Sequence, residues 1–136
     1  MSRRLWSCTI VLAVWLQFAA FAAQPQQAQP RSLVLQLRCE GGDCPLLTGV
    51  PQTVGMRSGF VRLKPGATVG WHSTSRNEES LVILRGRGEA LIEGQASQPF
   101  VAPAFVYIPP ATRHNVANTG KEALEYVYVV APVQPQ

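Results

Sequence analysis

"GWHSTSRNEES", Gly70 to Ser80, is followed directly by the apolar run "LVIL" and decides how the chain is read. It holds His72, Thr74 and the neighbouring pair Glu78 and Glu79. In an extended strand, residues two apart point to the same side, so His72 and Thr74 share a face if the strand runs through both. Glu79 falls in phase with Leu81 and Ile83, which places its carboxylate on the apolar side of the next strand. The chain has one other histidine, His114, far along the sequence in "YIPPATRHNV". Two imidazoles and a carboxylate converging inside a barrel suit a divalent transition ion and leave open positions for water or a ligand.

Working outward, short segments bounded by Gly, Pro or Asn follow one another: "SLVLQLR", "SGFVRLKPG", "ATVGWH", "ESLVILRG", "GEALIEG", "AFVYIPP", "HNVANTG" and "ALEYVYVV". No window of twelve or more residues carries a helical period. Punctuation at roughly ten-residue intervals predicts an all-β sandwich or small barrel in one domain. "SLVLQLR", from Ser32, alternates apolar and polar residues as a half-buried strand does. "LRGRGEALIEG" reads as a hairpin with Gly86 and Gly88 at the turn. Pro109 and Pro110 mark a strand end or bend, because neither can donate to a ladder. "ALEYVYVV" either covers the core or pairs across a dimer interface.

The first residues, "MSRR", lead into a mostly apolar stretch from Leu5 to Phe21, with Ala20 and Ala22 at A-x-A spacing. This predicts a signal peptide over 1–23, a Gln/Pro-rich linker over 24–31 and a folded domain over 32–133. The expected location is periplasmic or secreted, with no membrane attachment after cleavage. Loss of Arg3 and Arg4 with the leader leaves ten basic and eight acidic side chains, about +2. No Arg/Lys cluster with interleaved aromatics is present, so nucleic acid is not an expected partner. The remaining cysteines, Cys39 and Cys44, close the small loop "CEGGDC" and predict a disulfide in an oxidising compartment.

The spacing around the histidines resembles the cupin superfamily, as a small single-domain member. The first cupin motif, Gly-x5-His-x-His-x(3,4)-Glu-x6-Gly, is matched by Gly66, His72, Thr74, Glu79 and Gly86, and the six residues before Gly86 select Glu79 over Glu78. The second, Pro-x-Gly-x2-His-x3-Asn, is matched by Pro109, Ala111, His114 and Asn118. The resemblance covers about residues 58 to 130. It implies a double-stranded β-helix (jelly-roll) barrel, a small-molecule ligand and, often, a homodimer. It also implies a divalent metal (Fe, Mn, Ni, Cu or Zn) held by His72, Glu79 and His114. Thr74 stands where the family's second histidine would be, so the fourth position falls to Thr74, water or ligand. Ala111 replaces the motif glycine, a mild change unless that residue needs positive φ. Trp71, Phe105 and Tyr107 are candidate walls of the pocket, and Arg85, Arg87 and Arg113 could meet an anion at its mouth. Two functions follow: a metal-dependent enzyme of dioxygenase or isomerase type, or a non-catalytic barrel binding a carbohydrate or aromatic acid.

Overall fold

The computed structural model describes residues 29–133; the expected leader and most of the expected linker lie outside that range. Nine strands and no helix make up the described chain: β1 (Gly42–Thr48), β2 (Arg57–Leu63), β3 (His72–Ser73), β4 (Asn77–Arg85), β5 (Arg87–Ile92), β6 (Gln98–Val101), β7 (Ala104–Ile108), β8 (Arg113–Ala117) and β9 (Leu124–Pro132). They form two antiparallel sheets, ordered β1-β2-β9-β4-β7 and β3-β8-β5-β6. Alternation of inward and outward residues gives each sheet one apolar face, and the two faces enclose a shared core. Val61, Leu63, Leu81, Ile83, Ala90, Ile92, Phe100, Val106, Ile108, Val116, Leu124 and Tyr126 form it.

Two expectations need correction, and two open readings find their answer. The segment Ser32–Arg38 enters no sheet, and its apolar residues are exposed. The strand beside β2 is instead β1, whose Pro45 lies at a register shift on the sheet edge, where a missing N–H is tolerated. "LRGRGEALIEG" is not a hairpin, because β4 and β5 belong to different sheets. Gly86 turns the chain between them with φ of +88°, and a Cβ there would lie 2.7 Å from the Ala123 carbonyl oxygen. Of the two alternatives for "ALEYVYVV", β9 takes the core-covering one: it lies between β2 and β4 with both edges paired, and Leu124 and Tyr126 join the core. Finally, the strand at His72 stops at Ser73, and Thr74 begins the loop. The short edge strand β6 had no counterpart in the sequence reading. Pro109 does follow the end of β7, as expected.

Candidate metal centre

β3 and β8 pair with His72 opposite His114, which brings residues 42 positions apart in sequence into direct register. Their rings meet edge-to-face with centroids 4.1 Å apart. From the facing sheet, β4 projects Glu79 in phase with buried Leu81 and Ile83, as its sequence pattern required. Glu79 Oε2 lies 3.3 Å from His114 Nε2 and 3.9 Å from His72 Nε2. One donor atom from each of the three residues fits within 4.8 Å of the others, so the group could hold a metal ion.

Backbone carbonyls set the rings. His72 Nδ1 lies 2.9 Å from Gly70 O, and His114 Nδ1 lies 3.3 Å from Thr112 O. A carbonyl only accepts, so each Nδ1 carries a proton and each ring turns its Nε2 toward Glu79. His114 is fully buried, and its Nε2 has no hydrogen-bond partner. An orphaned buried lone pair beside a carboxylate is costly unless positive charge sits between them. Two ligands bound at about 2.1 Å with tetrahedral angles stand about 3.4 Å apart, close to the spacing seen here. The donor set therefore fits a divalent transition ion. Without the ion, a proton fills part of that role. Burial pushes the Glu79 carboxyl up, but the adjacent His114 and His72 rings outweigh it and bring it down to about 2. The hydrogen bond to Glu79 raises His72 above its ordinary value against the opposing effect of burial.

Thr74 is buried, and its hydroxyl serves the loops. It donates to Pro109 O at 2.9 Å and accepts from Thr112 N at 3.0 Å. Thr74 N also donates to Thr112 O, and Ala111 N to Ser75 O at 2.7 Å. These bonds stitch the turn after β3 to the turn before β8, and so fix the two histidines relative to each other. Ala111 does adopt positive φ, at 55°, as does Ser75 at 52°, so replacement of the motif glycine leaves a strained residue in this seam. Asn115 was missed by sequence reasoning. Its Oδ1 accepts from Gly70 N at 2.9 Å and so holds the carbonyl that orients His72. Asn118, the last residue of the second motif, donates to Leu63 O and Glu122 O and accepts from Gly120 N. Its position is structural.

Two of the three candidate ligands, His72 and Glu79, border a cavity of about 240 Å³ whose walls include Val61, Val69, Tyr126, Tyr128 and Val130; His114 lies buried behind them. Phe105 and Tyr107, expected in that wall, stand on the outer face of β7, and the Tyr107 hydroxyl donates to Glu78. The alternation that turns Val106 and Ile108 inward turns these two out. Trp71 borders an adjoining hollow with His72, half exposed, under the Arg113 guanidinium at 5.2 Å. Arg85 and Arg113 pair on the surface with Glu122 and Glu93. Cys39 and Cys44 form the expected disulfide, with Cα atoms 5.8 Å apart, at the head of β1.

Residues 59–130 match the family model for the cupin domain. The chain belongs to the cupin family. Among solved structures, this cupin is similar to a Bacillus halodurans protein, at 22% identity and a TM-score of 0.66 over 79% of this chain and 86% of that one. A cupin 2 conserved barrel domain protein from Salinispora arenicola matches at 26% identity and a TM-score of 0.59, over 78% and 90% of the two chains. Among curated proteins, a polyketide synthase named CurC, from Streptomyces cyaneus, is 33% identical over 102 residues. That match spans 73% of this cupin but 65% of the relative.

Proposed function

We propose that this cupin binds one divalent transition ion through His72, Glu79 and His114 and acts as a metal-dependent enzyme of dioxygenase or isomerase type on a small molecule. The observation that carries the reading is the fully buried His114 Nε2, unpartnered and turned toward Glu79. Such an ion, when bound, supplies Lewis acidity and free coordination positions. The chain's own part is to present two Nε2 atoms and one carboxylate, to hold the two rings by the Gly70 and Thr112 carbonyls, and to set Tyr126 and the valines around the adjoining cavity. The name of the Streptomyces relative suggests polyketide chemistry as one source of the ligand.

Metal analysis of protein purified without a histidine tag tests the centre. Stoichiometric metal in the wild type, lost in His72→Ala and His114→Ala, is the expected result. A folded wild type that stays metal-free after reconstitution with each candidate ion would sink it. A non-catalytic binding barrel is the second reading, favoured by Thr74, whose hydroxyl is engaged by the loop backbone where a further ligand would be expected.

We also propose that the protein is exported to the periplasm or medium, which the Cys39–Cys44 disulfide supports. The mass of the mature protein tests this; a chain retaining residues 1–23 in the cytoplasm overturns it.

A further inference from the structure

The cavity has a second polar end, away from His72 and Glu79. Register across the five-stranded sheet places Arg57 beside Val130 and Val130 beside Glu79, all on the inward face. With strands about 4.8 Å apart, the Arg57 backbone stands about 10 Å from that of Glu79. Both side chains line the same cavity. Arg62, Arg85 and Arg113 each pair with a surface glutamate, whereas Arg57 has no carboxylate within ion-pair distance among the described residues.

In the next inward row, Gly59 faces Tyr128. A Cβ on Gly59 would lie 2.5 Å from Tyr128 Cε1 and 2.6 Å from its hydroxyl oxygen, so the ring occupies space that only glycine leaves free. The ring leans over β2 toward β1, where its hydroxyl donates to Asp43 Oδ2 at 3.4 Å. The slot between Arg57 and His72 is walled by this ring and by Tyr126, Val61, Val69 and Val130. Apolar and aromatic walls of this kind suit a flat ligand body. The charges lining the slot also select the ligand. Arg57 and Asp43 cancel, and a divalent ion on Glu79 and two neutral imidazoles leaves one positive charge for the ligand to balance.

We propose that the slot takes a small planar carboxylic acid, its carboxylate on the Arg57 guanidinium and an oxygen at its far end facing His72 and Glu79. A guanidinium binds a carboxylate through two parallel hydrogen bonds, so Arg57 is the specificity-determining residue for the acid. The far end rests on the metal reading above; the Arg57 end does not.

4-Hydroxybenzoate serves as the probe, and neutral 4-hydroxybenzamide as its control. Both are titrated calorimetrically into apo and nickel-loaded wild type, Arg57→Gln and Arg57→Lys, with nickel content and the thermal melt measured for each protein. The wild type is expected to bind the acid about tenfold or more tighter than the amide. Arg57→Gln is expected to lose that preference and Arg57→Lys to keep part of it, with nickel content and melting unchanged. Equal binding of acid and amide, failure of both to bind nickel-loaded wild type, or an undiminished preference in Arg57→Gln overturns the proposal. A wild type that takes up no nickel yet shows an Arg57-dependent preference supports the Arg57 end and overturns only a far end built on nickel.

Discussion

Thr74 occupies a ligand position in the motif and yet spends its hydroxyl on two backbone groups of the neighbouring turn. Thr74→Val keeps the shape but orphans Thr112 N, and leaving a buried donor unsatisfied costs about 1–3 kcal/mol. The urea midpoint should fall accordingly while metal content, set by the other three residues, is retained; loss of the metal would give Thr74 a place in the coordination shell. Thr74→Ser should restore the midpoint. Protonation follows the same geometry. Glu79 is held at about 2 against an ordinary 4.5, so its contribution to apoprotein stability is present above 4.5 and lost as pH falls toward 2. His72 is raised above 6.5, so its contribution is present below 6.5 and lost as pH rises through the folded value. Apoprotein stability should therefore peak between about pH 4.5 and 6.5, and Glu79→Gln should flatten both slopes in urea titrations. Nickel, which needs His72 unprotonated, should bind more weakly as pH falls through that residue's raised value. A calorimetric affinity that does not change over this range would contradict the assignment. These three side chains were legible because motif spacing and strand phase are properties of the chain itself. Asn115 was not, since its role depends on a contact with Gly70, 45 residues away.

Among the elements, the sequence pattern was most reliable where a strand has one apolar face and partners on both sides, as β4 does. It misled at "SLVLQLR", because alternation reports a side-chain pattern and says nothing about whether a free edge exists to pair with. That edge of β2 is taken by β1, whose Gly, Pro and Cys residues hid it from propensity arguments. It also misled at Phe105 and Tyr107, where aromatic character drew attention but the pleat sends both outward. Glycines that looked like a hairpin turn serve a crossing between sheets. Gly86→Ala would meet the Ala123 carbonyl oxygen at 2.7 Å and force positive φ on alanine, and a cost of about 2 kcal/mol or more is expected from strain and overlap together. A stability change below about 0.5 kcal/mol in chemical denaturation would show that the crossing tolerates a side chain.

At the scale of the molecule, neither sheet alone contains the candidate centre. The histidines come from the four-stranded sheet and the carboxylate from the other, so the three meet only when the sheets are face to face. An ion that binds all three is expected to stabilise the folded state in proportion to its affinity, and nickel should raise the melting temperature of the wild type but not of His114→Ala. The position of β9 has a kinetic consequence as well. Because β9 separates β2 from β4, the larger sheet stays in two pieces, β1-β2 and β4-β7, until residues 124–132 arrive from the far end of the domain. Its joining contacts, such as Ser58 Oγ to Tyr128 O, close loops of about seventy residues. Loops of that length are searched slowly, which puts refolding in the millisecond-to-second regime of β-barrels. It also makes the last strand the step at which a chain with two loose half-sheets becomes committed to its fold.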